Sequence, residues 1–335
     1  MQNLLDPAIL FFVIGVLAGT VKSNLEIPPA ISRFLSLYLL MALGLKGGFA
    51  LSHSGLTTHV GISLAAAITL AICIPLIGYW ILRRFVSGFD AAAVAATYGS
   101  VSAVTFVTAV QYLENHQIMY GGHMAAAMAL MESPAIIMAV ILANSLRQKT
   151  TTQMVLLGSG VAGLNSPTSN QTASFGKILH ESFTDGAQLL LLGSMIVGLV
   201  SGDAGQKIMA PFSIDLFKGM LAFFLLDMGL TAAKNISHLK GKSPLLVAYA
   251  IMAPMVHSLI ALCLASALRL SLGDTLLLMV LAASASYIAV PAALKLAIPE
   301  ANPSLYLGLS LGLTFPLNII LGIPFYFYLA QMAKV

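Results

Sequence analysis

Two short runs in this sequence carry chemistry that their surroundings do not. One is Thr97-Tyr98-Gly99-Ser100-Val101-Ser102-Ala103-Val104-Thr105-Phe106, the other Ser284-Ala285-Ser286-Tyr287-Ile288-Ala289-Val290-Pro291. Each sets small hydroxyl residues beside glycine or proline within a long apolar stretch. Gly and Pro are the poorest helix formers, and Ser competes for backbone hydrogen bonds, so a helix is weak at both points. Pro291 has no N–H and fits best as the first residue of a new helical segment. An interrupted helix frees backbone groups that lipid cannot satisfy. Freed carbonyls and hydroxyl oxygens suit Na⁺, and the N-terminus of the second half-helix can hold an anion. Close helix packing by small residues would explain one such run; two runs at equivalent places in a repeat favour a site.

Few other residues could do chemistry. Glu132, in Met131-Glu132-Ser133-Pro134, is a carboxylate inside an apolar run, where ionisable groups are costly and functional by default. It could ligate Na⁺, carry a proton, or neutralise a buried cation such as Lys46. Asp227 has no acidic counterpart in the first half, where Ala42 stands, so structural pairing or a cavity-facing position suits it better than ion coordination. His123 and His257 have no nearby ligands and read as hydrogen-bonded packing residues. Gly241-Lys242-Ser243 resembles the tail of a phosphate loop, but Ile236 stands where the required glycine should be, so no ATP site follows. Cys73 and Cys263 lie in separate apolar runs, which argues against a disulfide scaffold or a transition-metal site. No nucleophile and base are arranged for hydrolysis, so an enzyme is not expected, and no cofactor beyond a coupling ion.

The elements that must position these residues are membrane spans. The 335 residues are 59% hydrophobic and only 8% charged, against about 25% charged in a soluble domain; mean hydropathy is +0.93. Net charge is +4 with no basic tract, which gives nucleic-acid binding no support. A span needs about 20 apolar residues, and ten candidates lie near 8–22, 31–51, 59–82, 91–112, 121–146, 184–202, 214–234, 244–268, 275–297 and 304–330. The first reads as structure, not as a cleaved signal.

The two halves of the chain match at nearly constant offset. Ile14-Gly15 pairs with Val197-Gly198, Gly44-Leu45 with Gly229-Leu230, Asp90 with Asp274, Ser100-Val101-Ser102 with Ser284-Ala285-Ser286, and Pro134 with Pro316, at offsets of 183, 185, 184, 184 and 182. The expected fold is all-α: ten transmembrane helices in two five-helix repeats, residues 1–146 and 181–335, joined by a polar linker at 147–180. Five is odd, so the repeats are inverted, the arrangement of secondary transporters, with the site where two broken helices cross. The positive-inside rule places both termini outside, with eleven Lys and Arg on the cytoplasmic side against four outside. The location expected is the cell inner (plasma) membrane, in contact with lipid.

Several motifs, taken together, resemble one family. Gly44-Leu45-Lys46-Gly47-Gly48, Gly99-Ser100-Val101-Ser102, Met131-Glu132-Ser133-Pro134-Ala135 and Ile298-Pro299-Glu300-Ala301-Asn302-Pro303-Ser304 are similar to the sodium-dependent bicarbonate permeases first known from cyanobacteria, over both halves and most of the chain. The resemblance implies symport of Na⁺ with bicarbonate by an elevator mechanism, a mobile core of spans 3–5 and 8–10, a scaffold of spans 1, 2, 6 and 7, and a homotrimer. It implies a substrate site at Gly99, Ser102, Ala103, Thr105, Phe106, Ser286, Ile288 and Ala289. Na⁺ is then expected at Ser100, Ser102, Ser284 and Ser286, with Glu132 in reach. The linker is shorter than in the cyanobacterial type, which leaves binding of a cytoplasmic PII-like regulator open. Glu132 and Tyr287 stand where that type has Asp, and Pro291-Ala292 replaces a Pro-Pro pair. The alternatives are a sodium symporter of another small or organic anion and a cation/proton antiporter of related fold; a channel and an intramembrane enzyme stand further off.

Overall fold

The structure, a computed structural model, describes residues 6–55, 57–156, 186–236 and 242–333, with no side chain described at Ser54, 148–156 or Leu296. The expected linker falls mostly outside the described residues. Its first ten residues, 147–156, continue the preceding helix.

All the regular elements described are helices: α1 (Pro7–Thr20), α2 (Pro29–Ser54), α3 (Thr58–Leu82), α4 (Gly88–Gly99), α5 (Ala103–Asn115), α6 (His123–Leu156), α7 (Gly186–Ala210), α8 (Phe217–Ile236), α9 (Pro244–Ala267), α10 (Leu272–Ala283), α11 (Ala289–Ala297) and α12 (Pro303–Met332). Their starts follow local chemistry. Asp6 caps α1 by accepting the Ala8 N–H, with Pro7 as first residue. Asn302 caps α12 ahead of Pro303, as the sequence suggests. Ser87 caps α4 through the Asp90 N–H, and Ser271 caps α10 through the Asp274 N–H, both at 3.1 Å. Three helices end on a left-handed residue that is not glycine: Lys22, Gln117 and Arg269, with φ of 55°, 55° and 54°. The following N–H bonds back in each case, from Ser23 to Ala18, Ile118 to Leu113 and Leu270 to Ala265.

Among the described residues, seven helical stretches are long and apolar enough to cross a membrane. One of them, Gly186–Ile236, spans 51 residues, roughly 75 Å at 1.5 Å per residue against a hydrocarbon core of about 30 Å. It takes in both α7, which is kinked at Gly202 (φ 51°), and α8, with a wider π turn at Pro211–Asp215 between them. Pro7–Thr20 and Leu272–Ala283 are shorter apolar helices. The protein is thus a multi-pass membrane protein, all-helical among the described residues. Its peripheral faces are apolar, as lipid requires: Leu10, Ile14 and Leu17 on α1, Ile72, Leu76 and Trp80 on α3, and Val197 and Val200 on α7 are all exposed.

The most extensive helix contacts are α2 with α7 and α1 with α8. Glycines make both possible. A Cβ on Gly15 would lie 2.2 Å from the Leu226 carbonyl oxygen and 3.1 Å from the Gly229 Cα; one on Gly48 would lie 2.1 Å from the Met195 carbonyl oxygen and 2.8 Å from the Gly198 Cα. Small residues let these backbones approach closely where lipid offers no hydrophobic drive to associate. A second set packs together, α3 with α4 and α6, and α9 with α10. α4 and α10 are enclosed by it: every residue from Ala91 to Gly99 and from Gly273 to Ala283 is buried. In the α8 region Asp227 accepts the Ser32 hydroxyl, and Tyr38 donates to the Phe212 carbonyl, which ties α2 to its neighbours.

Pro134 and Pro316 are absorbed differently. α6 runs on through Pro134 for 34 residues, whereas α12 contains π turns at Ser310–Thr314 and Asn318–Gly322, on either side of Pro316. A widened turn is a common response to an interrupted helical ladder. Outside the helices, the loop between α11 and α12 is held by Arg147, whose guanidinium grips both Glu300 carboxylate oxygens at 2.8 Å. That contact, the largest of several influences, holds the Glu300 carboxyl below its ordinary value.

Candidate functional site

The two runs singled out by their composition are where helices stop. α4 ends at Gly99. Ser100 (φ −102°, ψ −175°) and Ser102 (φ −107°, ψ 111°) are extended, and α5 begins at Ala103. In the second half α10 ends at Ala283, Ser284 is extended (φ −81°, ψ 165°), and α11 begins at Ala289. Gly99 is required by packing, since a Cβ there would lie 2.5 Å from the Pro75 ring of α3. Pro291 is the third residue of α11, not the first as its missing N–H suggested. The third N–H of a helix has no intrahelical partner either, so proline is tolerated there as well. The helix starts two residues earlier, where the Ser286 hydroxyl, two residues before the N-cap Ile288, accepts the Val290 N–H at 3.3 Å.

The breaks touch each other. The Ser102 N–H donates to Ser284 Oγ at 3.0 Å, and the Ser286 N–H donates to the Thr97 carbonyl at 2.8 Å. Backbone groups released by one interruption are thus satisfied by the other, which is how irregular backbone survives away from water. The hydroxyls are mostly engaged. Ser284 Oγ donates to the Leu281 carbonyl at 2.9 Å. Ser102 Oγ caps α5 by accepting the Thr105 N–H at 3.2 Å and the Thr105 hydroxyl at 2.9 Å. One is not: Ser100 Oγ has no hydrogen-bond partner although Ser100 is only 1% exposed. A buried hydroxyl left unpaired costs stability unless a ligand or water meets it. Tyr287 packs edge-on against Phe315, centroids 5.1 Å apart, with its hydroxyl close to the Ser102 side chain but without a hydrogen bond of ordinary geometry.

The remaining expected residues are placed as follows. Ala103 opens α5, and Phe106 is buried one turn on. Ala289 opens α11, and Ile288 just before it is 52% exposed. Glu132, on α6, is engaged with α7, where it accepts a hydrogen bond from Gln188 Nε2 at 2.8 Å. The reading of Glu132 as counter-charge to Lys46 is replaced. Lys46 pairs with Glu114 of α5 at 2.9 Å and lies 3.9 Å over the Phe217 ring. α5 packs against α2 and brings Glu114 within reach of Lys46, a proximity that linear spacing does not show. Among the described residues no three His, Cys, Asp or Glu side chains cluster to hold a metal.

Sequence reasoning missed the residues that support the breaks. Asn318, 1% exposed on α12, donates through Nδ2 to the Ala283 carbonyl at the end of α10 and accepts from the Tyr326 hydroxyl, both at 2.8 Å. Thr314 donates to the Ala250 carbonyl and shares a 2.6 Å hydrogen bond with the Tyr98 hydroxyl. The signal was available: an amide two residues past a proline in an otherwise apolar span is expensive without a partner.

The chain therefore offers an enclosed pair of helix interruptions with an unpartnered hydroxyl oxygen at their junction, within a multi-pass helical membrane protein. Comparison with curated proteins finds no match. The model of the Na⁺-dependent bicarbonate transporter superfamily matches residues 7–331, which takes in both breaks and nearly the whole chain, and the protein belongs to that superfamily.

Proposed function

We propose that this transporter carries bicarbonate together with Na⁺, using the paired breaks as its binding site and moving them by an elevator-type step. The observation that carries the reading is Ser100 Oγ, a buried and unpartnered oxygen beside the hydrogen-bonded junction of the two breaks. Na⁺ would lie there with Ser100, Ser102, Ser284 and Ser286, and Glu132 would reach in from α6. The anion would lie at the N-termini of α5 and α11, bounded by Gly99, Ser102, Ala103, Thr105, Phe106, Ser286, Ile288 and Ala289. Na⁺ offsets the anion's charge, so the pair crosses a low-dielectric region without net charge. Cooperative binding of the two follows.

The architecture proposed with it is ten spans in two inverted repeats, residues 1–146 and 181–335, with 147–180 as the cytoplasmic linker. Contacts equivalent under that inversion support it. Gly15 of α1 meets Gly229 of α8, and Gly198 of α7 meets Gly48 of α2; on this reading Gly48, one turn from Gly44, is the counterpart of Gly229. The division into a scaffold (α1, α2, α7, α8) and a core is supported by the separate packing of these helices. A homotrimer in the inner membrane with both termini outside completes the reading, with the linker as the place for any PII-like regulator.

Uptake of labelled bicarbonate into proteoliposomes, with and without an inward Na⁺ gradient, tests the coupling. Uptake should rise with the gradient and be lost in choline. Equal uptake in both conditions overturns the proposal. Because Tyr287 replaces a carboxylate, other small anions belong in the same assay as competitors. Na⁺-driven proton release in place of bicarbonate uptake would instead identify a cation/proton antiporter.

A further inference from the structure

A second polar feature lies one helix away from the breaks. Ser102, Thr105, Thr108, Gln111 and Asn115 follow one another at intervals of three or four from the cap of α5 to its end, a polar stripe in which each residue neighbours the next and which winds about half-way round the helix between Ser102 and Gln111. The stripe ends in a cavity of about 300 Å³ bounded by α1, α5, α8 and α12, whose lining includes Asp6, Thr108, Gln111, Asn115 and His116. It is thus lined by both helix groups, beside the residue that begins α1.

The hydrogen bonds in this cavity fix which way its amides point. Asp6 can only accept, and Asn115 Nδ2 donates to its Oδ2 at 2.7 Å. Lys218 can only donate, and its Nζ reaches Asn115 Oδ1 at 3.1 Å. Asn115 is therefore oriented by two partners with no ambiguity of role. Gln111 must then turn its NH₂ toward Asn115 Oδ1, which it meets at 2.8 Å. Its own Oε1 is left with no partner, although Gln111 is only 4% exposed. A buried acceptor of fixed direction repels an anion and welcomes a cation or a hydrogen-bond donor. Asp6 adds a carboxylate, already capping α1 through the Ala8 N–H, and the Thr108 hydroxyl, which donates to the Val104 carbonyl, offers only lone pairs beyond it. His116 holds its Nδ1 against the Tyr112 carbonyl at 2.8 Å.

We propose that this cavity is a cation site separate from the breaks, in which Gln111 Oε1 and Asp6 receive a hard monovalent cation before it moves down the α5 stripe to Ser102. Oxygen donors and one carboxylate match Na⁺ chemistry. The step toward the breaks rests on the Na⁺-coupled reading above; binding in the cavity does not.

Two measurements separate these. In the first, ²²Na⁺ binding to purified full-length protein is compared among wild type, Gln111→Leu and Gln111→Glu. Losing one oxygen donor to a charge should weaken the cavity component about tenfold, and the Glu variant, which keeps the donor and adds charge, should tighten it. Identical binding by wild type and both variants overturns the site, and the Glu variant keeps the test open if Leu fails to fold. In the second, external Na⁺ is titrated during bicarbonate uptake. A half-saturating concentration raised about tenfold in Gln111→Leu supports the route to the breaks; an unchanged value with Na⁺-dependent wild-type uptake overturns it. Wild-type uptake that ignores Na⁺ refutes the coupling instead, and leaves the ²²Na⁺ comparison to decide the cavity.

Discussion

Asp90 and Asp274 make the same contact in the two halves of the chain. Each sits in the first turn of a serine-capped helix and accepts a backbone N–H from a loop that leads into a helix of the other half: Asp90 Oδ1 from Asn302 at 2.8 Å, Asp274 Oδ1 from Gly121 at 2.6 Å. The carboxylate serves two ends at once. It favours the positive N-terminus of its own helix and fixes the entry of α12 or α6.

Equivalent contacts in unequal surroundings should have unequal energies. Asp274 is 9% exposed while Asp90 is only half-buried. Asp274→Ala removes a buried acceptor and leaves the half-buried Gly121 N–H unsatisfied, and should cost about 2–3 kcal/mol, Asp90→Ala about 1 kcal/mol. Thermal unfolding of the purified variants checks the ranking. Equal losses would mean that burial does not set the cost.

Ser284 and Ser102 should separate structure from ion binding. Ser284→Ala removes the acceptor of the Ser102 N–H and should lower stability by about 1–3 kcal/mol as well as transport. Ser102→Ala keeps that N–H and loses its hydroxyl, so on the proposed function it raises the half-saturating Na⁺ concentration several-fold. Its stability loss is the cost of a cap, about 1 kcal/mol. Unfolding curves and Na⁺ titrations of uptake on the same two variants are the measurement; an unchanged Na⁺ half-saturation takes Ser102 out of the site.

The Lys46–Glu114 pair joins α2 to α5, with side chains 12% and 30% exposed. Lys46→Met strands a carboxylate that retains only the Tyr120 hydroxyl at 3.2 Å, and should destabilise by about 1–3 kcal/mol. Adding Glu114→Gln should recover most of that loss, because removing both charges of an enclosed pair costs far less than removing one. A double-mutant cycle in thermal unfolding reads this directly, and additive losses would show that the two residues do not interact.

How much was legible in the sequence depends on whether the feature is local. The breaks were visible because Gly99-Ser100 and Ser284-Ala285-Ser286 weaken a helix by their own propensities. Asn302-Pro303 announced the start of α12 for the same reason. Partners across the bundle were not visible. Gln188 on Glu132, Glu114 on Lys46 and Asn318 on the Ala283 carbonyl depend on which helical faces meet, and hydrophobicity that is nearly uniform around a membrane helix does not mark a face. Both Gly44 and Gly48 lie close against α7, where a Cβ would fall 2.4 Å from the Leu191 carbonyl oxygen and 2.1 Å from the Met195 carbonyl oxygen, and the composition alone does not mark that face. The extent of α6 past Arg147 was hidden by a polar composition that reads as linker.

The hydrogen bonds from Ser102 to Ser284 and from Ser286 to Thr97 make the two interruptions one mechanical joint. Pulling them apart would strand two donors and two acceptors away from water, at about 1–3 kcal/mol for each group left unpaired. A displacement of α4 and α5 therefore takes α10 and α11 with it. On the proposed function, what the bilayer sees move is a preassembled cradle, and access would change by carrying that cradle past its neighbours or by opening the walls around it.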